Sequence, residues 1–341
     1  MTISLCMIVK NEERKLPVCL ASLRGIVDEM IVVDTGSTDR TREIAEAGGA
    51  RVLEYAWHDD FAAARNFAFA QANGDYIYSA DADEEIDPDN RAKFMQLKRD
   101  LESGSLEADI VQFLYAGQLS QDSVYNYDRE YRPKLFKRLR PFVWEGAVHE
   151  QVRLEPMVYD SDIEIQHKPH GQHAGRDLRI FAGMVARGEE MSARLLKLYA
   201  RELYIAGTAE DYVRAADYFI RRADEENDPD AVEAALLIAA RTARLRADAA
   251  GFFRHVIRLL DGGYKSSELC LELGNRYLDT DDPAEALVWF LTAVQETRPV
   301  LDIRAGGEMA YLGAAACFRM LQDEENEQAY LLLAKGKEAQ E

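Results

Sequence analysis

Between Ile3 and Asp83 the chain alternates short, continuous apolar runs with segments of helical periodicity, and that order limits the fold more than any other feature. Ile3–Val9 and Met30–Asp34 lack a polar alternate, as expected of strands buried on both faces. Arg51–Tyr55 and Asp75–Ala80 read as two further strands. Between them, Glu12–Leu23 puts Leu16, Leu20 and Leu23 on one helical face. A helix over Arg40–Ala47 is closed by Gly48-Gly49, and an alanine-rich helix over Phe61–Ala72 is stopped by Asn73-Gly74. A β-α-β-α-β-α-β order predicts a Rossmann-like α/β domain: a mostly parallel sheet with helices on both faces. Ligands of such sheets bind beyond the carboxyl ends of the strands.

Polar groups collect at those ends: Lys10, Asn11 and Glu12 after the first strand, Asp34 after the second, and Asp81 and Asp83 after the fourth. In Asp81-Ala82-Asp83 the carboxylates sit at i and i+2, so on an extended backbone they share one side. Together they can hold a hard divalent cation that also bridges phosphate oxygens. Taken alone, Asp-x-Asp is equally a solvated acidic turn.

Strand signals return in Ile110–Tyr115, Lys134–Lys137 and Ile163–Ile165, and after about Asp177 the chain reads as helical. Leu273-Gly274-x-x-Tyr277, then Ala286, Phe290 and Ala293, follow the spacing of a tetratricopeptide repeat, with Asp281-Asp282-Pro283 at the turn. Tyr204, Ala215, Phe219 and Ala223 form a weaker copy, and residues 232–260 fit loosely. The division expected is a sheet domain over residues 1–175 and an all-α repeat domain over 176–341.

The 341 residues suffice for two domains. A net charge of −20 argues against a nucleic-acid or anionic-membrane surface, but not against a nucleotide held through a metal. No apolar run approaches the ~18 residues of a membrane span. Leu5–Val9 is short and runs into Lys10-Asn11-Glu12-Glu13 without a cleavage site, so a signal peptide is not expected. Cys6, Cys19, Cys270 and Cys317 show no CxxC spacing, which fits a reducing, cytoplasmic setting.

Four ordered motifs then carry a resemblance. They are Leu5–Glu13, Ile31–Asp39, Asp60–Asn66 and Gly74–Glu84, joined by Lys134-Leu135-Phe136 and Trp144–Glu150. Residues 1 to about 170 resemble a family-two inverting glycosyltransferase of the GT-A fold. The subgroup nearest in pattern often carries tetratricopeptide repeats behind the catalytic domain, and it is similar to bacterial peptide S-glycosyltransferases that modify bacteriocins.

The resemblance implies a UDP-sugar donor and a role for each motif. Val9, Asn11, Glu12 and Asp34 would line the nucleotide, Asp34 at the uracil or ribose and Glu12 at the ribose hydroxyls. Asp34 could instead cap the turn Thr35–Asp39, and Glu12 could favour its own helix dipole. Arg65 would lie near the diphosphate, or pair with Asp59 or Asp60 at the surface. Asp81 and Asp83 would hold Mn²⁺ or Mg²⁺, with Asp83 the more direct ligand. A late histidine often adds a ligand; His149 is taken first, and His167, His170 and His173 are further candidates. His167-x-x-His170-x-x-His173 has the helical spacing of a zinc site, but Pro169 and Gly171 break such a helix. Inversion needs a carboxylate base, for which Glu150 and Glu145 are the candidates. Trp144 would stack on a sugar or pack in the core.

Two other classes stand beside this one. A degenerate transferase domain could serve as a peptide-binding scaffold through its repeats, although Asp34, Arg65, Asp81 and Asp83 are all present. A nucleotidyltransferase would carry a Gly-rich loop after the first strand, which Val9-Lys10-Asn11-Glu12 does not supply. The repeats point to a polypeptide acceptor or to a homodimer.

Overall fold

The elements of the N-terminal part run β1 (Ile3–Val9), α1 (Leu16–Leu23), β2 (Glu29–Asp34), α2 (Thr41–Ala47), β3 (Arg51–Glu54), α3 (Phe61–Ala70), β4 (Tyr76–Ser79), β5 (Glu84–Glu85), α4 (Pro88–Ser103), β6 (Ile110–Ala116), β7 (Arg129–Lys137), β8 (Trp144–Glu145), β9 (Gln151–Val152) and β10 (Val158–His167). The structure is a computed structural model that describes residues 1–116, 129–167 and 174–336. Its contacts divide the chain into two units, Met1–Gln172 and His173–Glu341.

The sheet of the first unit has the order β3-β2-β1-β4-β7-β6-β10-β5. From β3 to β4 every pairing is parallel, and β6 pairs with β10 in parallel. β7 is antiparallel to β4 and β6, and β5 to β10. The sheet is therefore mostly parallel, as the element order predicts. The chain steps outward from β1 through β2 to β3, then returns to place β4 on the other side of β1. That reversal makes the carboxyl ends of β1 and β4 the switch point at which sheets of this kind bind ligands.

The continuous apolar runs have a simple cause. Leu5 and Met7 of β1 enter one buried cluster with Leu16, Leu20, Leu23 and Phe94, under α1 and α4. Cys6, between them, enters a second cluster with Ile31, Val33, Phe69 and Phe136, under α3. Alternate side chains face opposite layers, and both layers are dry.

α1 starts at Leu16 rather than at Glu12. The backbone N–H groups of Glu12 and Glu13 donate to Thr41 Oγ1 and Asp39 Oδ2 across the neighbouring loop, and Asn11 has a φ of 57°. Pro17 then occupies the first turn, where its missing N–H costs nothing. α4 was not expected, although its start signal is plain: Asp87 caps it by accepting from Asn90 N at 2.9 Å, and Pro88 follows.

The second unit contains α5 (Ala174–Ala186), α6 (Ala193–Ala206), α7 (Ala209–Glu225), α8 (Pro229–Leu245), α9 (Ala249–Asp261), α10 (Ser267–Leu278), α11 (Pro283–Gln295), α12 (Glu308–Met320) and α13 (Glu324–Ala334). α7, α8 and α9 pack in sequence, as do α10 to α13, and α6 packs on α5 and α8. In α10–α11, Ala286, Phe290 and Ala293 are buried, and the Phe290 ring lies over Gly274. Tyr204, Ala215, Phe219 and Ala223 are buried in the same way in α6–α7. No helix among the described residues is long and apolar enough to cross a membrane.

Candidate active site at the strand ends

Asp34 closes β2 and is buried. It accepts from Ser37 N at 3.1 Å and Gly36 N at 3.3 Å, and the Nε of Arg42 donates to it at 2.6 Å. Burial alone would raise its carboxyl; the bonds from Ser37 and Arg42 outweigh that and hold it below the usual range. Asp34 therefore caps its turn and anchors a guanidinium at once. Asn11 stitches this turn to the end of β1, donating from N to Ser37 Oγ at 2.9 Å and accepting from Thr38 N at 2.8 Å. The Val9 carbonyl accepts from Thr35 N at 3.0 Å, so Val9 contributes a fixed backbone edge. Glu12 is half-buried, and its carboxyl is raised, first by burial and then by the charge of Asp83.

Beyond β4, Arg65 of α3 joins two carboxylates. Its Nη2 donates to Asp81 Oδ1 at 2.8 Å and its Nε to Glu150 Oε1 at 2.6 Å. The guanidinium is 12% exposed and lies 5.1 Å from the centre of the Trp144 ring. Burial disfavours its charge, but Asp81 and Glu150 more than compensate, so it stays a cation. Burial likewise opposes ionisation of Asp81, and Arg65, Lys134 and Arg132 overcome it, so this carboxyl stays well below the usual range. Arg65 pairs with neither Asp59 nor Asp60; Asp60 caps α3 by accepting from Ala63 N at 2.8 Å.

The loop carrying Glu150 is tied down by the residue after Arg65. Asn66 Nδ2 donates to the Trp144 carbonyl at 2.9 Å, and its Oδ1 accepts from Trp144 N at 2.8 Å. Phe61 N donates to the Ala147 carbonyl at 2.9 Å. Trp144 itself packs edge-on against Phe69 and Phe136 in the core, and Glu145 beside it is exposed. Glu150 thus meets the Asp81 side of the site, whereas Glu145 does not join this network.

Asp83 faces other partners. His167 Nε2 lies 3.2 Å and Lys15 Nζ 3.9 Å from its Oδ2. The histidine that meets Asp83 is His167, the last residue of β10, and not His149, which precedes Glu150 with a φ of 51°. His170 and His173 lie outside the described residues. His167 reaches the site because β10 pairs antiparallel with β5, directly after Asp83. Its ring is 4.9 Å from that of Tyr115. Beneath it, the buried Glu84 and Lys134 form an ion pair, with Glu84 raised by burial despite the lysine.

The residues that sequence reasoning did not single out are Arg42, Asn66, Lys15 and the Glu84–Lys134 pair. Asn66, Glu84 and Lys134 lie inside the matched motifs, whereas Arg42 and Lys15 had no local signal. The group as a whole offers an anchored acidic turn, a carboxylate–histidine pair that can ligate a cation, and a carboxylate held by an arginine. A divalent cation fits the pair: Asp83 and His167 are oxygen and imidazole donors, and burial and the charge of Asp83 raise the half-buried Glu12 despite the nearby Lys15, so added positive charge there would relieve both carboxylates.

Residues 4–149 match the sequence model of glycosyl transferase family 2. The chain is 31% identical over 166 residues to the SPbeta prophage-derived glycosyltransferase SunS of Bacillus subtilis, covering 48% of this chain and 36% of that protein. It is 58% identical over 84 residues to a TPR repeat-containing protein of Synechococcus elongatus, covering 25% of this chain and 21% of that one. The chain thus spans well under half the length of these two curated relatives. Among solved structures, it is similar to glucosyl-3-phosphoglycerate synthase from Mycobacterium tuberculosis in complex with phosphoglyceric acid (TM-score 0.41, 21% identity, 56% of this chain and 82% of that chain). It is also similar to S. aureus TarS 1-349 in complex with UDP (TM-score 0.40, 13% identity, 77% and 92%). Neither likeness is close enough to transfer a residue's role.

Proposed function

We propose that this chain, whose residues 4–149 match glycosyl transferase family 2, moves a hexose from a nucleotide sugar, a UDP-sugar in our reading, to a polypeptide side chain with inversion at the anomeric carbon. The observation that carries the proposal is the Glu150–Arg65–Asp81 bridge, which joins a carboxylate on the acceptor-side loop to the carboxylate beyond β4. Glu150 takes the proton of the acceptor hydroxyl or thiol. The acceptor atom bonds to the anomeric carbon as the bond from that carbon to the diphosphate oxygen breaks, and the nucleoside diphosphate departs. Arg65 fixes Glu150 and adds positive charge where the diphosphate leaves. Asp34, with Val9, Asn11 and Glu12, forms the nucleoside end.

Asp83, Asp81 and His167 are the residues that would hold Mn²⁺ or Mg²⁺. A cation there supplies neutralisation of the leaving diphosphate's charge. Residues 1–175 would carry the chemistry. The helical hairpins of 176–341 support a polypeptide acceptor, because stacked hairpins suit extended chains. The setting proposed is the cytoplasm.

Calorimetric titration with UDP, with and without Mn²⁺, tests the reading. Metal-dependent binding is expected in the parent chain and not in Asp83→Ala. Unchanged metal-dependent binding in that variant would overturn the cation assignment. Failure of every nucleoside diphosphate to bind would overturn the transferase reading.

A further inference from the structure

α9 is amphipathic in a way that the core of its unit does not use up. Phe252, His255, Val256 and Leu259 are buried. On the other side Phe253, Ile257 and Leu260 are 39%, 62% and 52% exposed. Their spacing of i, i+4 and i+7 makes them one stripe along the helix. Scattered apolar residues on a surface are ordinary, but three in one stripe of a single helix form a patch.

The charges beside the stripe say what covers it. Arg254 and Asp261 are both exposed. Seven residues at about 100° each bring them within about 20° of one another around the axis, and about 10 Å apart along it. They therefore flank the same edge of the stripe, with opposite charges at its two ends. Arg258, on the inner side, is instead paired with Asp224 at 2.7 Å. Among the described residues neither Arg254 nor Asp261 is ion-paired within the chain.

We infer that α9 is the seat of a symmetric contact between two copies of this chain. A two-fold axis perpendicular to the helix, passing between Ile257 and Arg258, lays a second α9 antiparallel on the first. It sets Arg254 beside Asp261 of the second copy, and the same pair recurs by symmetry. Ile257 meets its own copy, and Phe253 lies beside Leu260 of the other. A parallel second copy would put this edge of the two helices on opposite sides of the contact and leave both charges unpaired. One helix pair is a small interface, so the contact is reversible. The inference is independent of the transferase reading.

Sedimentation equilibrium of the full chain, up to about 100 μM, is the test. The parent should show a concentration-dependent dimer, and Ile257→Asp should be monomeric over the same range. Arg254→Asp or Asp261→Arg alone should raise the dissociation constant at least about tenfold, because each reverses both symmetric pairs. The double variant, with the charges exchanged, should return to within about threefold of the parent. These positions are exposed, so thermal melts should match the parent's. A parent that stays monomeric, a dimer indifferent to Ile257→Asp, or a double variant that fails to restore association would each overturn the inference.

Discussion

The Nε of Arg65 donates to Glu150 Oε1 at 2.6 Å, while Nη2 of the same guanidinium donates to Asp81 at 2.8 Å. A lysine keeps the charge but cannot fork to two carboxylates. Arg65→Lys is therefore expected to lower kcat/KM by about 100-fold, the cost of losing one positioned charge-assisted bond in a catalytic site. Arg65→Ala leaves two carboxylates facing one another and should also lower stability by about 3 kcal/mol. Initial rates with a UDP-sugar and urea denaturation of both variants check this. A lysine variant with parent rates would show that the fork does not matter to catalysis.

The two candidate bases separate by their surroundings. Glu150 is held in the site, whereas Glu145 is exposed beside the buried Trp144. Glu150→Gln should lower kcat by about 10²–10⁴, with UDP affinity unchanged, and Glu145→Gln should leave kcat close to the parent's. The reverse result would hand the role to Glu145.

How far the site could be read from the chain depended on distance along it. Asp34, Asp81 and Asp83 follow apolar runs directly, so strand periodicity alone brings them to one end of the sheet. Arg65 and Glu150 lie 85 positions apart, and no local pattern predicts that they touch. His167 meets Asp83 only because β10 folds back antiparallel on the two-residue β5. A strand that short carries no periodicity to read. His149 stood out in the sequence because it adjoins Glu150, but adjacency says nothing of the sheet pairing that brings another histidine to Asp83. In the helical unit, by contrast, Gly274, Ala286, Phe290 and Ala293 interact at repeat spacing, and their packing was legible.

That packing gives a stability test. A Cβ at Gly274 would lie 2.8 Å from the Phe290 ring, which is itself buried. Gly274→Ala should cost about 1–3 kcal/mol by overpacking, even though alanine is the better helix former. In a Phe290→Leu background the ring is gone, and the same change should cost markedly less. Urea denaturation of the four species measures the coupling. Additive costs would mean that the ring does not set the limit.

His255 sits on the buried side of α9 and gives the fold a pH dependence of definite sign. Burial, then the charges of Arg258 and Arg254, lower its pKa from the ordinary 6.5, against weaker opposing pulls from Asp224 and Asp248. Below 6.5 the unfolded chain takes up a proton that the folded one resists. The stabilisation is thus fully present above 6.5 and is lost as pH falls from there toward the lower folded value. Urea midpoints should drop between about pH 7.5 and pH 5.5, and His255→Phe should flatten that drop. The comparison of the two slopes isolates this residue from the other histidines. Equal slopes would mean that His255 accepts its proton in the folded chain as readily as in the unfolded one.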